Sequence, residues 1–511
     1  MKKSILILIL ISGIFISFIS SCNKDETPDE VIQNDNRLAT LSTLAVSSIT
    51  STTVNSGGNI TSDGDSPITS KGVCWNTTIN PTIENSITLD GTGIDNFSSD
   101  IEGLSPNTKY YVRAYVTNSA GTAYGNEISF TTVDDGSNII PQFDILKVID
   151  GKEFRKIIKT SDGGYVGIAY ADDYNIIKFD AYFNIIWNKT YGGPGQDYAE
   201  SISQTSDGSY LVLGYSNSID GDITGNHGEN DIWAIKIDGS GNLLWEKSYG
   251  GSSSDGLNKN KSVLLTNDGG FMFIGHTKSN DGDVSENKGG YEVWIVKANS
   301  AGEIQFEKTL GGTQDDYGRS IIQTSSSYSV LIKSNSSDGD FNSAGNWIVQ
   351  IDPNGEIIWK TNLSGLNSGV ISKASDNNII VVNNSADQYL ISKLDFNGNV
   401  IMSNIIDFKS TSAKQPSTRT IQETSDKGFI ITGNLGNGND ADALLFRVSP
   451  ELNLLYSKIY EGNNMDFSAS LIPLNENNYL YQFSTLSDDI NGVEYSSHKA
   501  SVIVKLEEIL N

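Results

Sequence analysis

The sequence predicts an all-β protein in which a β-sandwich precedes a seven-bladed β-propeller. Three observations carry this prediction. Stretches with helical periodicity are absent, and short alternating runs rich in Val, Ile, Thr and Tyr are separated by Gly, Asn and Pro. In addition, a motif like TSDGGY recurs seven times from residue 160 onward. Such a repeat is typical of folds whose units bury one another's surfaces.

The chain opens with MKKSILILILISGIFISFISSC, a basic start followed by an apolar run too short to remain as a membrane span. This pattern predicts an export signal over residues 1–21. The run ISSC at 19–22 resembles the lipobox of bacterial lipoproteins. That resemblance implies that the Cys22 thiol carries fatty acyl chains such as palmitate, which anchor the protein to a membrane. The alternative is a secretory signal with an incidental cysteine.

Residues 22–40 are polar and acidic without apolar periodicity, which indicates a flexible tether. The run NKDE at 23–26 resembles the acidic signal that sends some Gram-negative lipoproteins to the outer face of the outer membrane. The resemblance implies a lipid-anchored protein exposed at the cell surface, with the membrane as one partner.

Acidic residues outnumber basic ones, 62 to 35, and the formal net charge is −27. This balance argues against nucleic acid as a partner and suits either a solvated exterior or divalent-cation binding. No HExxH, GxSxG or paired CxxC motif occurs, so the commonest metal and hydrolase signatures are absent. The second cysteine, Cys74, lies in the strand-like run KGVCWN and is predicted to be a small core residue.

Residues 41–133 show the short alternating strands of a sandwich. The run LSPNTKYYVRAYVTNSAGTAYGNEISFTT resembles the F and G strands of a fibronectin type III domain, with Tyr110 placed like the corner tyrosine of that family. The resemblance implies a spacer or a protein-binding module. Residues 134–142 are a predicted linker.

The repeat region covers residues 143–511. One unit reads as four strands, SISQT, GSYLVLGYS, DIWAIKID and NLLWEKSY, joined by Gly, Asn and Asp turns. One such sheet cannot bury both faces, whereas radial stacking does. Trp187, Trp245 and Trp359, near the outer strands, are predicted to fill the gaps between blades. The layout is similar to kelch and quinoprotein-like propellers in strand order.

The seventh copy ends at ASVIVKLEEILN, before a fourth strand can form. The segment QFDILKVIDG at 142–151 precedes the first repeat and has no partner there. We therefore predict that this segment supplies the last blade's fourth strand, which would leave the ring without sheet edges.

Two acidic motifs are candidate sites. The first, GGxxxD between blades, supplies Asp197, Asp255 and Asp316, and a degenerate copy supplies Asp466. All four are predicted near the innermost strands, where a ring of carboxylates could bind a cation or the hydroxyl groups of a sugar. Alternatively, each Asp caps its own turn through main-chain N–H groups.

The second motif, SxDGD between the second and third strands, supplies Asp220, Asp222, Asp281, Asp283, Asp338 and Asp340. Aspartates at alternate positions resemble the start of calcium loops, yet the closing Glu of an EF-hand is missing. Calcium is thus the one candidate cofactor, and a plain hairpin turn is the alternative. His227 and His276 are predicted to be loop residues rather than metal ligands.

These features favour a non-enzymatic surface binding or scaffold protein that takes a glycan or protein ligand on its propeller. The alternative is a carbohydrate-active enzyme similar to glycoside hydrolases, with a carboxylate pair at the propeller mouth. The sequence singles out no such pair, so no catalytic residue is assigned. A quinone-dependent oxidoreductase is disfavoured, because the resemblance to those propellers is confined to strand layout.

Overall fold

A computed structural model describes residues 37–133, 139–258, 262–324, 326–363, 368–385, 388–408, 416–436, 441–462, 464–487, 489–490, 493–494 and 499–510. Every regular element in these residues is a β-strand, which confirms the all-β class. None of them belongs to a helix long and apolar enough to cross a membrane. The predicted signal, Cys22 and most of the tether lie outside the described residues.

Residues 37–133 form two antiparallel sheets. Their strands are β1 (Thr40–Thr43), β2 (Val54–Ser62), β3 (Ser70–Asn76), β4 (Ser86–Ile87), β5 (Phe97–Ile101), β6 (Lys109–Asn118), β7 (Gly121–Tyr124) and β8 (Ile128–Thr131). One sheet has the order β1-β2-β5, and the other has the order β4-β3-β6-β7 with β8 also paired to β6. A Cβ on Gly58 would lie 2.4 Å from the Phe97 ring and 3.1 Å from Ala114, so a glycine allows the two sheets to approach closely.

Two predictions for this region can be compared with the structure. The hydroxyl of Tyr110 accepts a hydrogen bond from the main-chain N–H of Ser105 at 3.0 Å, the contact expected of a corner tyrosine. Cys74 is fully buried in β3, and burial raises the pKa of its thiol to about 11. Cys74 is therefore a core residue, as predicted.

Contacts divide the chain into two compact units. The first includes Ser56–Ser99 and Tyr111–Ile128, and the second includes Val46–Asn55, Asp100–Tyr110 and the chain from Ser129 onward. The domain boundaries proposed from the sequence, including the linker at 134–142, stay predictions.

The repeat region forms seven antiparallel sheets, which we number as blades in chain order. A preceding strand, β9, spans Ile139–Asp150. Blade one contains β10 (Phe154–Lys159), β11 (Tyr165–Ala169), β12 (Tyr174–Phe179) and β13 (Ile185–Tyr191), and blade two contains β14 (Asp197–Gln204), β15 (Tyr210–Ser216), β16 (Asp231–Ile237) and β17 (Leu243–Tyr249). Blade three contains β18 (Asp255–Leu257), β19 (Val263–Leu265), β20 (Phe271–Thr277), β21 (Glu292–Ala298) and β22 (Ile304–Leu310). Blade four contains β23 (Asp316–Gln323), β24 (Tyr328–Ser334), β25 (Gly345–Ile351) and β26 (Ile357–Asn362).

Blade five contains β27 (Ser368–Lys373), β28 (Ile379–Ser385), β29 (Gln388–Leu394) and β30 (Val400–Asp407). Blade six contains β31 (Pro416–Glu423), β32 (Phe429–Leu435), β33 (Asp442–Val448) and β34 (Leu454–Tyr460). Blade seven contains β35 (Asp466–Asn475), β36 (Asn478–Thr485) and β39 (Ala500–Leu510). A short hairpin of β37 (Asp489–Ile490) and β38 (Val493–Glu494) precedes β39. The first strand of each blade is the innermost one, and it contacts the neighbouring blade.

The predicted closure is confirmed. Strand β9 pairs with β39 along its whole length, so the fourth strand of blade seven comes from the start of the repeat region. Ile149 lies opposite Ser501 in this ladder, and Phe143 lies opposite Leu506. Strand β10 of blade one also contacts β35 of blade seven, which completes a ring of seven blades.

The TSDGGY repeat is the turn between the first and second strands of a blade. Its Asp caps the turn and pairs with a cation on the third strand, as in the pairs Lys178–Asp162 (2.9 Å), Lys236–Asp207 (2.7 Å), Lys393–Asp376 (2.6 Å) and Arg447–Asp426 (2.5 Å). In blade four the turn reads TSSSYS, and Gln350 stands where the cation would be and donates to Thr324 Oγ1 at 3.2 Å. In blade four, Gln350 thus satisfies the turn that an Asp–cation pair holds in the blades named above.

The outer-strand tryptophans pack between blades, as predicted. The indole N–H of Trp187 in blade one donates to the carbonyl of Gly239 in blade two at 3.1 Å. In the same way, the indole N–H of Trp359 in blade four donates to the carbonyl of Phe396 in blade five at 3.1 Å. Trp245 stacks on Phe271 of blade three with ring centroids 6.3 Å apart. Each ring therefore covers the edge of the following blade.

Removing β9 should destabilise the propeller far more than removing everything before it. A chain that starts at Glu153 leaves the outer edge of β39 without a hydrogen-bonding partner, whereas a chain that starts at Asn138 keeps the pair. We expect a melting temperature lower by ten degrees or more for the shorter chain, and aggregation through the exposed edge, measured by calorimetry and gel filtration. Equal melting temperatures and equal monomer content would contradict the closure.

Candidate functional site

The GGxxxD aspartates lie at junctions between blades and are buried. Each begins an innermost strand, as predicted, and no more than 1 % of any of them is exposed. The residues are Asp197 in β14, Asp255 in β18, Asp316 in β23 and Asp466 in β35. The main-chain N–H of each donates to a carbonyl of the preceding blade at 2.6 Å. These aspartates therefore connect neighbouring blades.

The carboxylates of these residues hold the Gly-Gly turn. Asp255 Oδ2 accepts hydrogen bonds from Gly251 N at 2.8 Å and from Ser279 Oγ at 2.9 Å. The same two bonds recur for Asp197 with Gly193 and Ser218, and for Asp316 with Gly312 and Ser336. This is the geometry of the capping role. Ligand binding by these four residues stays a prediction.

The SxDGD loops interlock with the same turns. Gly250 N donates to Asp283 Oδ2 at 3.2 Å, and Asp283 N donates back to the carbonyl of Gly250 at 2.9 Å. Equivalent bonds join Asp222 to Gly192 and Asp340 to Gly311. The two motifs that the sequence presents separately thus form one interlocked junction, which occurs three times.

The first Asp of two loops also binds the turn. Asp281 accepts a hydrogen bond from Ser252 N at 2.7 Å and Asp338 accepts one from Thr313 N at 2.9 Å, while Asp220 is exposed. Within the described part of the chain, no three His, Cys, Asp or Glu side chains are grouped so that they could hold a metal ion. Calcium binding by the SxDGD loops stays a prediction.

A further carboxylate from the preceding blade faces each of these junctions. Asp231 Oδ1 and Asp255 Oδ2 would lie 2.7 and 2.6 Å from a Cβ on Gly250, so only glycine fits between them. Burial raises the pKa of both aspartates, and the charge of Asp231 raises that of Asp255 further. At the junction of blades six and seven, burial and the neighbouring Asp442 raise the pKa of Asp466 to about 7.

The innermost strands carry a second repeated feature, a β-bulge at an equivalent position. In five blades the ladder between the first and second strands shifts by one residue, which is left unpaired. The inserted residues are Arg155, Glu200, Arg319, Arg419 and Ala469. Asn258 holds the corresponding place in blade three. We call these six residues the bulge ring.

All six members of the bulge ring line cavities at the centre of the propeller. The larger cavity, of about 780 Å³, is bordered mainly by the innermost strands of blades one, two, six and seven. A second cavity, of about 520 Å³, shares Glu200 and Arg419 with the first and extends to Arg319. Both volumes are within the range of small-molecule sites, roughly 300–1,000 Å³.

Neighbouring members of the bulge ring interact. Arg155 binds the carboxylate of Glu200, and its guanidinium lies 4.8 Å from the ring centroid of Tyr170. Arg319 Nη1 lies 3.4 Å from Asn258 Oδ1. Because the guanidinium groups are enclosed by protein, burial lowers the pKa of both Arg319 and Arg419. They remain charged at neutral pH.

The prediction that His276 is a loop residue is wrong. It lies within β20 and lines the smaller cavity, between the rings of Tyr291 and Tyr317 at 5.0 and 5.3 Å. Burial lowers its pKa to about 4, so the ring is neutral at pH 7. His227 does lie in a loop, where its Nδ1 contacts Asp231 Oδ2 at 2.8 Å.

Sequence reasoning missed the bulge ring, although a signal existed. Three of its members follow the Asp of a GGxxxD motif by three residues, in the runs DYAE, DGLN and DYGR. The motif is repeated, whereas the residue three places later is Glu, Asn or Arg. A polar residue that differs between otherwise equivalent strands could therefore have marked this position as a candidate site residue.

No protein-family model matches the chain, and no curated protein matches it in sequence. Solved structures resemble it in fold. A protein of unknown function from Bacteroides caccae is 12 % identical, with a TM-score of 0.36 over 58 % of this chain and 94 % of that one. The Dos1 propeller is 10 % identical, with a TM-score of 0.38 over 77 % and 88 % of the two chains.

A PQQ-bound aldose sugar dehydrogenase from Streptomyces coelicolor is 10 % identical, with a TM-score of 0.37 over 72 % of this chain and 99 % of that one. These resemblances assign no ligand and no activity to this protein.

The raised pKa of Asp466 predicts a pH-dependent effect of Asp466→Asn. A carboxyl whose pKa is higher in the folded state favours folding below its unfolded pKa of about 3.9, and this contribution is lost as the pH rises through 7. We therefore expect Asp466→Asn to stabilise the protein at pH 8 by about 3 kcal/mol more than at pH 4.5, from denaturant unfolding at both pH values.

Asp442→Asn serves as the companion variant. Removing the neighbouring charge should lower the pKa of Asp466 and so reduce the pH dependence without abolishing it, because burial is the larger cause. If Asp466→Asn changes the unfolding free energy equally at both pH values, Asp466 is ionised in the folded protein throughout this range.

Proposed function

We propose that this protein is a lipid-anchored binding protein of the cell surface that takes a glycan or protein ligand into the centre of its propeller. One observation carries the proposal: five innermost strands each insert a residue at a bulge, and all five inserted residues line the central cavities. Bulges commonly re-aim side chains next to binding sites. The lipid on Cys22, the tether and the fibronectin type III-like region then serve as anchor and spacer.

The repeated acids argue for binding rather than hydrolysis at this site. A glycosidase needs two carboxyl groups that reach the substrate, separated by roughly 5–10 Å. The GGxxxD aspartates are instead buried in blade junctions. Of the two glutamates that line the larger cavity, Glu200 is bound to Arg155 and Glu153 lies 3.9 Å from Lys499. Binding is therefore the function that the described geometry supports best.

Filling the cavity should abolish ligand binding. Ala469 lines the larger cavity, and Ala469→Trp would place an indole ring inside it. We expect ligands found by glycan and protein arrays with residues 38–511 to bind this variant at least tenfold more weakly, as measured by calorimetry. The control is Ile186→Trp on β13, the outermost strand of blade one, where the side chain is 59 % exposed. Equal loss of binding in both variants, or in neither, would contradict the proposed site.

The anchor can be tested through the two cysteines. Cys22→Ala removes the acylated thiol, and we expect the protein to leave the membrane fraction or to remain uncleaved with its signal. Cys74→Ala is the matched control, since Cys74 is buried in β3 and should leave the distribution unchanged. Fractionation followed by mass spectrometry of the N-terminal peptide gives the result. Correct processing and full membrane retention of Cys22→Ala would show that another feature anchors the chain.

A further inference from the structure

The centre of the propeller is basic, although the chain is strongly acidic. The larger cavity is lined by five cationic side chains, which are Arg155, Lys156, Lys159, Arg419 and Lys499. Among the described residues, two acidic side chains, Glu153 and Glu200, line the same cavity. The adjoining cavity adds Arg319. Cations thus outnumber acids here, in a protein where acids outnumber bases almost two to one overall.

The two acids each lie beside one cation of this set. Glu200 binds Arg155, and Glu153 lies 3.9 Å from Lys499 at the edge of the cavity. Among the described residues, the hydrogen-bond partner of the Lys156 ammonium is Ser201 Oγ at 3.1 Å. Burial lowers the pKa of Lys156 to about 8, which is the effect expected for a cation held without a carboxylate.

Arginine is concentrated at this one place. The chain has six arginines, and three of them, Arg155, Arg319 and Arg419, are bulge residues. A bulge inserts the same backbone geometry whatever the residue, so the local fold does not require arginine there. Ala469 holds the equivalent position in blade seven. The planar guanidinium group is the side chain best suited to bind a carboxylate with two parallel hydrogen bonds.

The wall that β35 forms between the strands of Arg155 and Arg419 is largely apolar. Along β35 burial alternates: Phe467, Leu471 and Pro473 line the cavity and are partly or fully exposed, whereas Ser468 and Ser470, which also line it, are buried. Hydroxyl and amide groups, including those of Ser201, Thr420 and Gln422, also line the cavity. An occupant of the cavity therefore meets cationic, apolar and neutral hydrogen-bonding groups.

From this arrangement we propose that the central cavities bind a carboxylate-bearing sugar, with the carboxylate on Arg319 and Arg419, the two bulge-ring arginines that line the smaller cavity. The C–H face of a sugar ring suits the apolar wall of β35, and its hydroxyls suit the neutral polar groups. The larger cavity, of about 780 Å³, is within the size range of small-molecule sites. This inference rests on the proposed function, because it names the class of glycan that the propeller takes.

The test compares an acid with its neutral ester. The probes are digalacturonic acid and its dimethyl ester, titrated into residues 23–511 by calorimetry at low and physiological salt. We expect the acid to bind at least tenfold more tightly than the ester, and the difference to shrink as salt rises. Arg319→Gln and Arg419→Gln should each weaken binding of the acid at least tenfold and leave binding of the ester nearly unchanged.

Two further variants keep the test decisive. Arg419→Lys keeps the positive charge but cannot form two parallel hydrogen bonds to a carboxylate. It should therefore bind the acid more tightly than Arg419→Gln and more weakly than the unmodified protein. Arg113→Gln, in β6 outside the propeller, should have no effect. Melting curves for every variant confirm that the fold is intact, and Arg155 is left unchanged because it binds Glu200.

Equal binding of acid and ester, no binding of the acid, or binding that is insensitive to Arg319 and Arg419 would overturn the inference. If inorganic sulfate competes as well as the sugar acid does, the central cavities are a general anion site and the sugar assignment is wrong. The proposed function fails separately. It survives if a neutral glycan or a protein binds and Ala469→Trp abolishes that binding, and it falls if Ala469→Trp changes nothing.

Discussion

The structure depends on the pairing of β9 with β39. Each blade is a small antiparallel sheet that can bury its faces only against its neighbours, so the stacking must return to its starting point or leave two faces and an edge exposed. A strand from the start of the repeat region completes the last blade and prevents this. The closed ring encloses the two central cavities, and the innermost strands of five blades each place a bulge residue on the walls of these cavities.

Positions with the same residue in several blades and positions with a different residue in each blade have different roles in the propeller. The repeated Gly-Gly turns, their aspartates and the SxDGD serines bind one another at successive junctions, which accounts for their recurrence without a ligand. Placing carboxylates in the interior is costly, and the raised pKa of Asp255 and Asp466 reflects that cost. The bulge ring differs from these junctions, because its members occupy equivalent positions but have basic, acidic, amide or apolar side chains.

This contrast explains how far the sequence could predict the protein. The strand pattern, the seven copies and the unmatched segment before Glu153 predicted the propeller and its closure, because periodicity and strand number are visible in the chain itself. The role of Trp187 and Trp359 followed from their recurrence. By contrast, the placement of His276 and the bulge ring depends on the register between adjacent strands. A shift of one residue redirects a side chain and leaves no separate trace in the hydrophobic pattern.

The distribution of charge follows from the same architecture. Aspartates suit tight turns, and a propeller has many turns between and within its blades, so acidic residues accumulate at the ends of strands. Asp162, Asp207 and Asp268 each cap such a turn. At a distance these charges give a negative surface, but salt screens them over about 8–10 Å. Inside the central cavities the guanidinium groups act at contact distance and are screened less, so a basic centre can bind an anion despite the acidic exterior.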